Sequence, residues 1–137
     1  MTKLGQHFLT SKSIASRIAK TAGIKKTDIV LEIGPGKGIL TEELLKTGAK
    51  IIAVEKDAGL FGFLKNKFEN FVLSGRLILI NADVRDYLRN HQNPVLIQNR
   101  VLVANKVVAN IPYYLTGQLL RMIFESKNVP ELTVLML

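Results

Sequence analysis

"IVLEIGPGKGILTEELLKT", from Ile29 to Thr47, decides the fold. It opens as an apolar run broken only by Glu32, which predicts a buried strand over 29–33. Gly34, Gly36 and Gly38 then supply a turn, and "ILTEELLKT" carries helical spacing up to Gly48. The same alternation continues downstream. "KIIAVE" (Lys50 to Glu55), "RLILIN" (Arg76 to Asn81), "KVVAN" (Lys106 to Asn110) and "ELTVLML" (Glu131 to Leu137) predict further strands. Between them lie predicted helices over Ala58–Asn70, Val84–His91 and Thr116–Ser126, the last with Thr116 as N-cap. Gly59 and Gly62 weaken the first of these by about 1 kcal/mol each relative to Ala. Upstream, Ile14, Ile18 and Ala22 form an apolar stripe on a helix over Ser13–Ala22 that stops at Gly23. Residues Pro94 to Ala104 are apolar without a clean period, and their structure stays open.

Strands that are apolar throughout and separated by helices imply a parallel sheet covered on both faces. With right-handed crossovers this is an α/β, Rossmann-like, doubly wound domain of mostly parallel strands. The 137 residues suit one domain with a single core, and the 47% hydrophobic content suits a globular one. The N-terminus lacks the apolar core of a secretory signal, and no apolar run reaches membrane-spanning length, so a soluble, cytoplasmic protein without membrane contact is expected. The absence of cysteine excludes disulfides, thiolate metal sites and a Cys nucleophile, and no metal site is expected. A net charge of +8 favours a polyanionic partner, nucleic acid first.

In a doubly wound sheet, ligands bind beyond the carboxyl ends of the strands. After the first predicted strand comes "EIGPGKG", with G-x-G-x-G spacing. A dinucleotide fingerprint needs G-x-G-x-x-G, and Ile39 stands where its last glycine belongs; the P-loop pattern also fails. A phosphate cradle is therefore disfavoured. After the second comes Glu55, about 20 residues past the glycines, where an acid can accept from both ribose hydroxyls. After the third comes Asp83, suited to accept from an adenine amino group or to cap the next helix. Glycines, Glu55 and Asp83 describe an adenosine-shaped site without a phosphate grip, which fits S-adenosylmethionine.

The fourth predicted strand ends in "NIPYYL", Asn110 to Leu115. Asn110 offers an amide oxygen, Pro112 holds Ile111 extended, and Tyr113 offers a ring face. Such groups suit an exocyclic nucleobase amine. Acceptors on its hydrogens aim the nitrogen lone pair, and stacking is worth roughly 1–3 kcal/mol per base. A direct methyl displacement needs mainly proximity and orientation. The alternative is a proline turn with core tyrosines; Tyr114 belongs to a pocket wall or to packing.

Together "LGQHFL" (Leu4 to Leu9), "EIGPGKG", "VEKD" (Val54 to Asp57), "NAD" (Asn81 to Asp83) and "NIPYYL" resemble the ribosomal RNA adenine N6-dimethyltransferases, of the bacterial KsgA type. The resemblance covers nearly the whole chain, and the pairing of "GQHFL" with "NIPYYL" is its most specific part. It implies that Gln6, His7, Leu9, Gly34, Gly36, Glu55, Lys56, Asp83, Val84 and Asn110 contact S-adenosylmethionine. It implies that Asn110, Ile111, Pro112 and Tyr113 hold the target adenine, with Tyr113 stacked on the flipped base. The implied reaction is N6-dimethylation of two adjacent adenines near the 3′ end of small-subunit rRNA, in the immature 30S subunit, by a protein monomeric at full length. Lys37 and Lys56 stand where apolar residues are usual. The family continues into further strands and a helical RNA-binding domain, so residues 1–137 are expected to be a partial catalytic domain.

Related activities share these features. A large-subunit methyltransferase of the macrolide-resistance type more often has Asn or His after the first Tyr, so Tyr114 and "LGQHFL" favour the small-subunit group. A DNA adenine-N6 methyltransferase uses an N-P-P-Y motif, and here Ile111 replaces the first proline. A non-catalytic RNA-binding module would not need every ligand position filled.

Overall fold

The computed structural model describes residues 11–91, 94–97, 100–111, 113–126 and 130–136. The chain order is α1 (Lys12–Thr21), β1 (Ile29–Ile33), α2 (Ile39–Lys46), β2 (Lys50–Glu55), α3 (Ala58–Lys67), α4 (Glu69–Leu73), β3 (Leu77–Asn81), α5 (Val84–His91), β4 (Pro94–Ile97), β5 (Arg100–Val103), β6 (Lys106–Asn110), a 3₁₀ turn (Tyr113–Leu115), α6 (Thr116–Phe124) and β7 (Leu132–Met136). Five strands form one sheet in the order β3-β2-β1-β6-β7, with every pairing parallel. The chain moves outward from β1 in one direction, then returns to place β6 on the other side. The topological switch point therefore lies between β1 and β6, at their carboxyl ends.

The period of two along the strands divides the core into two layers. Val30, Ile51, Ala53, Leu77 and Val108 pack with Ala15 and Ala19 of α1, Leu40 and Leu44 of α2, and Leu64 of α3. Leu31, Ile33, Ile52, Val54, Val107 and Ala109 face the other way, onto Tyr87 and Leu88 of α5 and Leu119 and Ile123 of α6. This is the doubly wound α/β architecture expected. No helix among the described residues is long and apolar enough to cross a membrane.

Three local expectations are corrected. The helix expected over 58–70 breaks at Phe68, where φ −112° and ψ 30° leave the helical region. There the Phe68 ring fills the space over Gly38, so close that a Cβ on Gly38 would lie 2.6 Å from it. Thr116 is the first residue of α6 and not its N-cap; Leu115 holds that position, and the Thr116 hydroxyl is buried without a partner among the described residues. The third strand starts at Leu77 rather than Arg76, whose guanidinium donates to the Leu45 and Ala49 carbonyls and satisfies the end of α2. The open segment 94–104 contains an antiparallel hairpin pairing Val95 with Leu102 and Leu96 with Val101, off the main sheet. Leu102 packs against the α5–α6 layer.

At the amino ends of the strands, away from the switch point, Lys106 Nζ reaches the Asp28 carboxylate at 2.7 Å and the Gly23 carbonyl at 2.9 Å. Asn105 donates to Asp28 at 2.8 Å and to Glu131 at 3.0 Å, and accepts from the Ile29 amide at 2.8 Å. Burial alone would raise the Asp28 carboxyl, but these donors and the Lys25 amide hold it below its ordinary value. This clasp ties the starts of β1, β6 and β7 together.

Candidate functional site

Three strands deliver polar side chains to the same face at the switch point. Val30 and Val108 lie on the α1–α2 side of the sheet, so alternation puts Glu32 and Asn110 on that side too. Ala53 shares that side, which places Glu55 there at the end of β2. The sheet thus gathers Glu32, Glu55 and Asn110 under the glycine loop.

The loop is built to lie close. Gly34 (φ 70°), Gly36 (φ 60°) and Gly38 (φ 86°) are all in the left-handed region. A Cβ on Gly34 would sit 2.6 Å from the Asn110 carbonyl oxygen, nearer than any side chain tolerates. Gly34 N–H donates to the Val54 carbonyl at 3.0 Å. Glycine is required here because the β1 exit runs directly over the β6 exit.

Glu55 is 6% exposed and clamps this loop. Its Oε1 accepts from Gly36 N–H at 3.1 Å and its Oε2 from Asp57 N–H at 2.9 Å. A carboxylate has about four acceptor positions, so each oxygen keeps one for a ligand hydroxyl. The sequence suggests the ligand role; the clamp is a second role it did not reveal. Asp57 in turn caps α3 by accepting from Leu60 N–H at 2.9 Å.

Glu32 is 1% exposed and accepts a 2.6 Å hydrogen bond from Thr41 Oγ1 of α2. Burial pushes its carboxyl up to about 7; the Thr41 bond opposes this and the Glu55 charge adds to it. This role of Glu32 was not among the expectations above, although a lone acid within an apolar strand was a visible signal.

Asp83 lies in the turn between β3 and α5, where it takes the capping possibility. Its Oδ1 accepts from Arg85 N–H at 2.8 Å in the first turn of α5. The Arg85 guanidinium also grips both oxygens, with Nε to Oδ1 at 3.1 Å and Nη2 to Oδ2 at 2.8 Å. Lys56 Nζ stands 3.6 Å from Oδ2. The Arg85 bonds outweigh burial and hold the Asp83 carboxyl far below its ordinary value. This grip of Arg85 on Asp83 had no signal in the sequence beyond its position two after the acid.

The remaining residues divide clearly. Val84 opens α5, and its side chain packs against the α5–α6 layer. Ile111 is buried in that same layer, with its side chain in the core. Tyr114 is 63% exposed, which removes it from core packing. Gln6, His7, Leu9, Pro112 and the Tyr113 side chain lie outside the described residues.

The family model "Ribosomal RNA adenine dimethylase" matches residues 1–137. The chain belongs to this family. Among the curated relatives of this dimethylase-family chain, the ribosomal RNA small subunit methyltransferase A of Dehalococcoides mccartyi strain BAV1 is 44% identical over 133 residues, 97% of this chain and 43% of the relative. A solved dimethyladenosine transferase from Plasmodium falciparum is 27% identical with a TM-score of 0.71, over 94% of this chain and 42% of the other. The 23S rRNA methyltransferase ErmE matches at 27% identity and TM-score 0.71, over 96% of this chain and 48% of its own. The dimethylase-family chain spans under half the length of the curated relatives it matches.

Proposed function

We infer that this chain carries the S-adenosylmethionine site and target-base clamp of an enzyme that N6-dimethylates adenines in small-subunit rRNA. The observation that carries this is the meeting of Gly34, Glu55 and Asn110, from three strand ends, at the switch point. The donor set fits the cofactor. A close-lying glycine loop admits main-chain contact with its methionine part, Glu55 retains acceptor capacity for ribose hydroxyls, and Asp83 is an acceptor for the adenine amine. The Glu55 carboxylate beside the glycine loop suits a sulfonium better than a phosphate. Bound there, S-adenosylmethionine supplies an electrophilic methyl group.

The chain's own residues orient the acceptor. Asn110, at the end of β6, accepts a hydrogen from the target amine, and the main chain at Ile111 and Pro112 takes the other. Tyr113 stacks on the base. Orientation of this kind provides much of the rate when no covalent intermediate forms. Glu32 and Thr41 support the loop from beneath.

The names of the curated relatives favour small-subunit rRNA as the substrate. ErmE matches the fold as well as the dimethyladenosine transferase does, which keeps large-subunit rRNA as a second reading. The partner expected is the immature 30S subunit, and the location expected is the cytoplasm. The test is transfer of labelled methyl groups to immature small subunits, large-subunit rRNA and duplex DNA, followed by nucleoside analysis. Label in N6,N6-dimethyladenosine of the small subunit is expected. Label confined to large-subunit rRNA or DNA, or none from a chain that binds cofactor, contradicts the proposal.

A further inference from the structure

The two halves of the glycine loop are held differently. The inner half is tied to the second strand: Gly34 N–H donates to the Val54 carbonyl at 3.0 Å, and Gly36 N–H to Glu55 at 3.1 Å. The outer half, Lys37 and Gly38, lies beyond the end of β1 and before α2. Gly36 and Gly38 are both in the left-handed region, and a glycine has other conformations open to it at little cost. A single loop conformation therefore needs ties to its outer half as well. The end of α3 supplies two. The Phe68 ring occupies the space where a Gly38 Cβ would stand. Lys67 Nζ donates to the Lys37 carbonyl at 3.0 Å. Gly38 N–H donates to the Pro35 carbonyl at 3.0 Å, so the Lys37–Gly38 peptide is bonded at both its oxygen and its N–H.

We propose that Lys67 is a positioning residue for the cofactor: through the Lys37 carbonyl it holds the outer half of the glycine loop in the conformation that receives the methionine part. Lys67 is exposed, and a free lysine side chain loses rotamer entropy when it makes such a bond. Two rings reduce that loss by confining it beforehand. Its Nζ lies 5.9 Å from the centre of the Phe63 ring, one helical turn back, and 5.2 Å from that of Phe68. Both ring faces attract an ammonium. The helix break at Phe68 puts one ring in contact with both Gly38 and Lys67. A loop ordered in advance binds its ligand without a further ordering cost, so loosening it lowers affinity.

This inference rests on the cofactor site proposed above. The test measures S-adenosylhomocysteine binding by calorimetry and, without ligand, native-state amide exchange at Gly38 in the loop and Leu31 in the core strand. The proteins are the wild-type chain, Lys67→Met and Lys65→Met. The last removes the same charge from an exposed position on the same helix. Lys67→Met is expected to bind S-adenosylhomocysteine about three- to tenfold more weakly, the scale of one hydrogen bond. Its Gly38 amide exchanges faster by a similar factor, while Leu31 exchanges as in wild type. Lys65→Met matches wild type in both measurements. A lysine that only stabilises the fold would instead speed exchange at Gly38 and Leu31 together. The proposal is overturned by that result, by unchanged S-adenosylhomocysteine affinity in Lys67→Met, or by unchanged exchange at Gly38. Equal weakening in Lys65→Met also overturns it, assigning the effect to the charge of α3. These outcomes leave the cofactor site standing, whereas a folded wild-type chain that binds no S-adenosylhomocysteine removes the site and this inference with it.

Discussion

At the residue scale, the site depends on close approach. Gly34 combines a left-handed φ with a neighbouring carbonyl where a Cβ would sit. Gly34→Ala should cost about 1–3 kcal/mol of stability, from backbone strain and displacement of the β6 exit, readable by urea unfolding. The same variant should bind S-adenosylmethionine more weakly, because the loop can no longer lie against Asn110. The positions of Gly34, Glu55, Asp83 and Asn110 were legible because each falls at a strand end, and the sheet rule brings strand ends together. Arg85 was not legible, because its grip on Asp83 depends on the rotamer that α5 imposes. The Glu55 clamp was hidden for a related reason: its donors are backbone amides, which carry no residue signature. Asn110→Ala should lower methyl transfer by about a hundredfold, the scale of lost orientation, with a smaller change in cofactor affinity. Single-turnover kinetics beside calorimetry separate the two effects.

At the element scale, β1 carries a buried acid whose titration sets a pH dependence. The Glu32 carboxyl is raised from 4.5 to about 7 in the folded chain. A raised acid binds its proton more tightly when folded, so stability from this group is present at low pH. It is lost as pH rises from about 4.5 to about 7. Asp28 and Asp83 are lowered, so their contribution is lost only below the ordinary carboxylate range. In the cofactor-free chain, Glu32→Gln should therefore flatten stability between pH 5 and pH 7, gaining about 2–3 kcal/mol on wild type at the upper end. Thermal unfolding across that range would show it; parallel curves for the two proteins would count against a buried, titrating Glu32. At the opposite end of β1, Lys106→Met strands the Asp28 carboxylate in the core and should cost about 3–5 kcal/mol. Adding Asp28→Leu should recover part of that loss, since the uncompensated charge is then gone.

At the scale of the molecule, the alternation of apolar strands and helices was enough to give the parallel sheet and its two helical layers. The break at Phe68 was not legible, because it follows from a ring packing over Gly38, a contact between distant parts of the chain. The hairpin over 94–103 was not legible either: a uniformly apolar tract has no period to reveal which residues face the core. The hairpin lies off the main sheet, whereas the Phe68 ring packs over Gly38, the last glycine of the loop at the β1 exit. The basic charge acts over the whole surface. Affinity for rRNA should therefore fall steeply with added salt, whereas affinity for the cofactor should change little. The central claim is that Glu55, at the β1–β2–β6 strand ends, forms part of an S-adenosylmethionine site. Calorimetric titration of the wild-type chain and of a folded Glu55→Ala variant tests it directly. The account predicts stoichiometric binding by wild type and affinity lower by about a hundredfold or more in the variant, since charged hydrogen bonds to two hydroxyls are lost. Equal binding by both proteins, or none by a folded wild-type chain, would contradict it.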